Sequence, residues 1–126
     1  MNAMAKEWIE KAEEDCIVAM REYRARKSPA HGAVCFHAQQ CIEKYLKAVL
    51  TQRGMPFAKI HDLAILLAPC VEHFPLWHAM APDMKRLSKY AVRFRYPGDS
   101  ADKRDAQDAV RIMKACRRDI REGLGL

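Results

Sequence analysis

Apolar residues recur along the chain at intervals of three and four, which is the spacing of one face of an α-helix. No segment alternates with period two, and no Asn-Gly or Asp-Gly hairpin signal occurs. In the first helical segment the acids come early and the bases late, as the helix dipole favours. Its apolar positions are Ala5, Trp8, Ile9, Ala12, Cys16, Ala19, Met20 and Tyr23. The pattern predicts an all-α protein.

The second helix carries the widest apolar stripe, so we expect it to be central and covered on more than one side. Ser28 is predicted to cap it and Pro29 to take its first position. Gly54 and Pro56 are predicted to end it. The stripe comprises Val34, Cys35, Ala38, Cys41, Ile42, Tyr45, Leu46, Val49 and Leu50.

Three further helices are predicted. The third begins near residues 61–62. In the fourth, Pro82 falls inside the apolar pattern and predicts a kink or a late start. The fifth begins near Ser100 or Asp102 and is ended by Gly123. Five helices joined by short loops favour an up-and-down helical bundle.

Composition agrees with one globular domain, residues 1–126, at 50% hydrophobic and 30% charged residues. No apolar run is long enough for a membrane span, and the first residues lack the apolar stretch of a signal peptide. The five cysteines include no CxxC pair. We therefore expect reduced, mostly buried thiols in a cytoplasmic protein without a membrane partner.

The positive charge is concentrated in the last third of the chain. The net charge is +6, and residues 84–126 hold 12 basic and 6 acidic residues. Such asymmetry hints at an anionic partner, but on charge alone a solvated basic helix face is the better explanation.

Several kinds of chemical site find little support in the sequence. Cys35, His37 and Cys41 have side chains that ligate metals, but positions 35 and 37 of a helix point about 200° apart. We therefore predict no metal site and no cofactor. His61 and Asp62, as helical neighbours, point away from each other, and no cysteine lies in an obvious low-pKa environment. Glycine-rich phosphate loops are absent.

The best candidate site is the segment that follows the fourth helix. Arg93 and Arg95, two residues apart in an extended segment, would project on the same side, and guanidinium groups bind phosphate bidentately. Tyr96 could stack on a base. Lys103 and Arg104 follow at the start of the next helix, where free backbone N–H groups favour anions. These five residues are the predicted nucleotide- or phosphate-binding site.

The alternative for these arginines is structural. One of them would pair with a carboxylate of the first helix, such as Asp15, and brace the bundle.

Several of these segments together resemble the HEPN domain family, and in particular its small prokaryotic, nucleotidyltransferase-associated branch. Residues 35–50 resemble the central HEPN helix. Residues 61–67, residues 90–98, and Trp8 with Asp15 fit in order and spacing. The resemblance implies a helical bundle that forms homodimers, binds nucleotide or RNA, and acts beside a small nucleotidyltransferase in toxin–antitoxin or stress-defence pairs.

Many members of that family are metal-independent RNases with an Arg-x4-6-His motif in the later helices. In this chain only Arg24 and Arg26 reach a histidine at that spacing, namely His31, and no histidine follows His78. Catalysis is therefore expected to be weak or absent, since general acid–base chemistry usually needs such a group. Ile60 replaces the family's frequent threonine, which predicts a lost helix cap.

Three functions stay open from the sequence. The first is a non-catalytic or weakly active homodimer that binds nucleotide or RNA phosphate. The second is a metal-independent RNase in which His31 or His37 replaces the usual base. The third is a structural dimer or adaptor without a ligand.

Overall fold

The computed structural model describes residues 1–126 and contains helices but no strands. The all-α prediction of five helices is confirmed. The helices are α1 (Ala3–Tyr23), α2 (His31–Gln52), α3 (Leu63–Val71), α4 (Ala81–Arg93) and α5 (Lys103–Gly123), and a 3-10 helix at Pro75–Met80 precedes α4. None of these helices combines the length and the apolarity that crossing a membrane requires.

Helix α2 lies at the centre of the bundle, as its wide apolar stripe predicted. It packs against α1, α3, α4 and α5. Tyr45, Ile42, Leu46 and Leu50 are completely buried there. All five cysteines are free thiols and four of them are buried, which also agrees with the prediction.

The start of α2 differs from the prediction. Ser28 has a φ of 44°, in the left-handed region, so it cannot adopt the extended conformation of an N-cap. Ala30 is the N-cap, without a side-chain hydrogen bond, and the helix begins at His31. The end agrees with the prediction: Gly54 has a φ of 66°, and its N–H donates to the Thr51 carbonyl at 3.1 Å.

The expectation that Ile60 removes the cap of α3 is wrong. Asp62 is the N-cap, and its Oδ1 accepts from the backbone N–H groups of residues 64–65 at 2.9 and 3.3 Å. The Leu63 N–H donates to Ser88 Oγ at 3.0 Å. The first three N–H groups of α3 are therefore occupied by the protein itself.

The boundaries of α4 and α5 follow from their caps. Pro82 lies in the first turn of α4, directly after the 3-10 helix, so the predicted late start is confirmed. Arg93 still belongs to α4, and the loop begins after it. Asp102 caps α5 in a reciprocal capping box with Asp105, with both hydrogen bonds at 2.9 Å.

Helix α5 ends at Gly123, as predicted, but this glycine is the last helical residue and does not have the left-handed conformation of a C-terminal cap. Gly125, with a φ of 77°, takes that conformation two residues later. A Cβ on Gly123 would lie 2.4 Å from Trp77 Cζ2. Close packing against the indole explains this glycine.

Asp108 joins α4 to α5 and makes stability depend on pH. It accepts hydrogen bonds from Arg86 Nε at 2.8 Å, Tyr90 OH at 2.8 Å and Arg111 Nη2 at 2.9 Å. Burial alone would raise the pKa of Asp108, but these hydrogen bonds lower it to about 2. Because the folded-state pKa lies below the ordinary value of 3.8, the stabilisation is present above pH 4 and is lost between pH 4 and pH 2.

We expect Asp108→Asn to lower the free energy of unfolding by about 1–2 kcal/mol at pH 7 and by much less at pH 2. Urea unfolding at both pH values measures this difference. The control is Asp119→Asn, at a surface pair with Arg118, which should change stability by about 0.5 kcal/mol or less. An equal loss at both pH values would contradict the assignment.

Candidate anion-binding cleft

A cleft of about 890 Å³ lies between α2 and α4, beside the start of α3. One wall is the outer face of α4, and the other is formed by α2 and the residues that precede α3. Its lining residues are Phe36, Gln39, Gln40, His61, Asp62, Lys85, Ser88, Lys89, Ala91, Val92, Arg93 and Arg95.

Four cations make this cleft positive. Lys85, Lys89 and Arg93 stand at successive turns of α4, a set that we call the α4 row, and Arg95 follows the helix. Both lysines are exposed and form no ion pair. The single carboxylate in the lining, Asp62, is already occupied as the cap of α3. The cleft therefore carries a positive potential that favours anions.

The two predicted arginines both line the cleft, though not as an extended segment. Arg93 is helical and residues 94–97 form turns, so the predicted backbone is wrong. The Arg93 guanidinium contacts Asp99 and remains 58% exposed. The Arg95 guanidinium lies 5.5 Å from the centre of the Phe36 ring and pairs with no carboxylate.

The structural alternative, in which an arginine pairs with Asp15, is wrong. His37 Nδ1 lies 2.8 Å from Asp15 Oδ1, and Lys44 Nζ donates to Asp15 Oδ2 at 2.5 Å. Neither arginine of the cleft is used to brace α1.

The other three predicted site residues lie outside the cleft lining. Tyr96 is 64% exposed on the loop. Lys103 and Arg104 open α5, where Asp102 and Asp105 already occupy part of the first turn. Their role in phosphate binding stays a prediction.

Sequence reasoning missed the two lysines of the α4 row. Their spacing of four residues, continued by Arg93, was a signal that could have found them. Phe36, Gln40 and His61 carried no such signal, because they reach the cleft from elements distant in sequence.

A buried carboxylate anchors His61 at the cleft. Glu43, only 3% exposed, accepts from Lys47 Nζ at 3.0 Å and from Gln39 Nε2 at 3.2 Å, and its Oε1 lies 3.1 Å from His61 Nδ1. The histidine side chain is itself 77% exposed. His61 and Asp62 thus have separate partners, as their adjacent positions predicted.

The cysteines and His37 do not meet. Cys35 and Cys41 are buried, His37 binds Asp15, and no group of three His, Cys, Asp or Glu side chains could hold a metal ion. The expectation that no cysteine lies in a low-pKa environment is wrong for Cys16. A hydrogen bond with Cys41 lowers the pKa of this half-buried thiol to about 7.

The fold is shared with known proteins. The family model of the HEPN domain matches residues 5–122, and the chain belongs to this family. The crystal structure of TT1696 from Thermus thermophilus is similar, with a TM-score of 0.81, 25% identity, and coverage of 97% of this chain and 98% of that chain.

A second solved structure supports the same fold. The crystal structure of ST0689, an archaeal HEPN homologue, superposes with a TM-score of 0.74 at 21% identity, over 98% of each chain. A search among proteins of curated function finds no match. The predicted family is confirmed, whereas its nucleotidyltransferase-associated branch stays a prediction.

Proposed function

We propose that this protein binds the phosphate groups of a nucleotide or of RNA in the cleft between α2 and α4. The observation that carries the proposal is the convergence of four cations, Lys85, Lys89, Arg93 and Arg95, on one cleft whose single carboxylate is already a helix cap. Lysine supplies point charges, and arginine supplies a planar fork that matches phosphate.

The proposal also includes the assembly of this protein into a homodimer and its pairing with a partner protein. Family resemblance supports a homodimer and a small nucleotidyltransferase as partner in a toxin–antitoxin or stress-defence pair. The four cations that we propose as phosphate ligands all come from one chain. The alternative function is a structural adaptor without a ligand. The unpaired lysines of the cleft, Lys85 and Lys89, do not support this alternative.

Titration calorimetry with ATP, GTP and a short RNA at low salt tests the binding. We expect Lys89→Ala and Arg95→Ala each to weaken binding about five- to tenfold, since each removes one charge-assisted contact. The matched control is Lys11→Ala, an exposed, unpaired lysine in the middle of α1, which should bind as the wild type does. Absence of binding by all three ligands would overturn the proposal.

Metal-independent RNA cleavage is a second candidate, favoured by one observation. The substitutes that the sequence suggested, His31 and His37, do not line the cleft, whereas His61 does. With its Nδ1 held by Glu43, a neutral His61 leaves Nε2 free to accept a proton from a ribose hydroxyl.

Incubation of the protein with RNA in the presence of a chelator tests cleavage. We expect His61→Ala to abolish any cleavage and His78→Ala, which changes a histidine outside the cleft, to leave it unchanged. Cleavage that survives His61→Ala would remove His61 from the chemistry, and no cleavage by the wild type would leave binding as the function.

A further inference from the structure

We propose that Cys16 of α1 and Cys41 of α2 form an oxidant-sensitive thiol pair, in which a hydroperoxide converts Cys16 to a sulfenic acid and Cys41 then closes a disulfide between the two helices. This inference does not depend on the proposed function, since neither cysteine lines the cleft.

The contact between α1 and α2 places the two thiols opposite each other. Asp15, next to Cys16 in α1, contacts His37 and Lys44 of α2. Cys41 lies between these two residues on the same face of α2, four residues after the first and three before the second. Cys16 packs against the buried cluster that contains Cys41, and the two side chains form a hydrogen bond. The thiols therefore meet inside the packed interface.

Small side chains on both helices let the backbones approach closely at this point. Ala12 and Ala19 flank Cys16 on the buried face of α1, and Ala38 lies one turn before Cys41 on α2. Helices that meet through small residues lie at the short end of the usual range, about 8 Å between axes, and their Cα atoms stand about 2.3 Å from each axis. Facing Cα atoms at such a contact come within the roughly 4.4–6.8 Å that a disulfide spans.

The surroundings of Cys16 favour its thiolate. The hydrogen bond with Cys41 has the largest effect and lowers the pKa of Cys16 to about 7. The cations Arg117 and Lys114 of α5 act in the same direction, whereas partial burial and the Glu13 carboxylate act against it without outweighing it. The same hydrogen bond and burial raise the pKa of Cys41, which therefore stays a protonated donor at neutral pH. The pair combines a nucleophilic thiolate with a second thiol in contact with it.

The other three cysteines do not share these conditions. Cys35, Cys70 and Cys116 are buried, and burial raises the pKa of each thiol to about 12. Cys16 alone is partly exposed. Because oxidation follows thiolate character and exposure, a hydroperoxide should react first with Cys16.

The reaction proceeds in two steps. In the first, the Cys16 thiolate attacks one oxygen of the hydroperoxide, the O–O bond breaks, and an alcohol (water in the case of hydrogen peroxide) leaves with a proton from solvent. The sulfur thereby loses an electron pair to the peroxide. In the second, the Cys41 sulfur attacks the Cys16 sulfur, the S–O bond breaks, and water leaves with the Cys41 proton. Two thiols and one hydroperoxide become one disulfide, one alcohol and one water.

Treatment of the protein with hydrogen peroxide, followed by proteolysis without reductant and mass spectrometry, tests the disulfide. We expect a peptide pair linked through Cys16 and Cys41, an intact mass lowered by about 2 Da, and recovery with dithiothreitol. Cys16→Ser should abolish the link, and Cys41→Ser should leave a sulfenic acid that a 1,3-diketone traps at Cys16. The matched control is Cys35→Ser, at another buried cysteine of α2, which should form the disulfide as the wild type does.

The pH dependence of alkylation by iodoacetamide tests the thiolate separately. The rate at Cys16 should be half-maximal near pH 7. Cys41→Ala should move this midpoint upwards by about one pH unit or more, towards the ordinary thiol value of about 8.5, because the hydrogen bond is lost. Cys35→Ala should not move it. Melting temperatures show whether each variant folds, and the wild-type measurements decide without any substitution.

The contrary outcomes are distinct. Oxidation of Cys16 without a link to Cys41, or a link between the Cys16 residues of two copies, would overturn the disulfide. A wild-type midpoint at or above about pH 8.5 would overturn the thiolate. Neither result bears on phosphate binding in the cleft, which the calorimetric titrations measure separately.

Discussion

Replacing Glu43 with alanine is expected to destabilise the protein by about 3–5 kcal/mol. The Glu43 carboxylate is 3% exposed and neutralises Lys47, whose own side chain is 8% exposed. The lysine ammonium lies 5.5 Å from the Trp8 ring and 5.8 Å from the Phe57 ring, so it is enclosed by aromatic groups. Without the carboxylate a positive charge stays buried without a counter-charge.

A double variant separates the missing charge from the missing packing. Glu43→Leu with Lys47→Met keeps most of the volume and removes both charges, so we expect it to recover most of the lost stability. Urea unfolding of the wild type, the single variants and the double variant measures the coupling between the two residues. A double variant less stable than Glu43→Ala would contradict the interpretation.

Replacing Gly123 with alanine is the second change with a large expected effect, a loss of about 1–3 kcal/mol. The added Cβ would lie 2.4 Å from Trp77 Cζ2 and 3.1 Å from Phe74 Cε1. Trp77 is 7% exposed and stacks on Phe74 at 4.1 Å between ring centres, so the indole has little room to move.

Gly32→Ala is the matched control for Gly123→Ala. Both glycines are helical, but a Cβ on Gly32 meets Phe94 at an ordinary 3.7 Å. We expect Gly32→Ala to leave stability unchanged or to raise it by up to about 1 kcal/mol. Thermal unfolding of the two variants measures the difference, and equal stabilities would show that Trp77 adapts to the added methyl group.

Helix boundaries were predictable where local geometry decides them. Pro82, Asp102 and Gly54 each mark a boundary in the sequence and in the structure, because their effects act within a few residues. Ser28 misled the prediction of the α2 cap, whereas Gly123 ends α5 as predicted but for a different reason. The backbone at Ser28 is left-handed, and Gly123 responds to an indole more than forty residues away in sequence.

The candidate site was only partly predictable. Arg93 and Arg95 were found because arginines near a helix end are a local pattern, and both line the cleft. Their true partners, Asp99 and Phe36, did not follow from that pattern. The structural alternative, a contact with Asp15, was wrong because α2 supplies the partners of Asp15, namely His37 and Lys44.

The spacing of apolar residues determined by itself that this protein is a bundle of helices with α2 at its centre, since burial of an amphipathic face needs only that spacing and neighbours to cover it. Tertiary structure alone decided that the α4 row faces Phe36, Gln40 and His61 across one cleft. Such a meeting depends on how the helices pack, and packing is set by contacts between residues far apart in the chain.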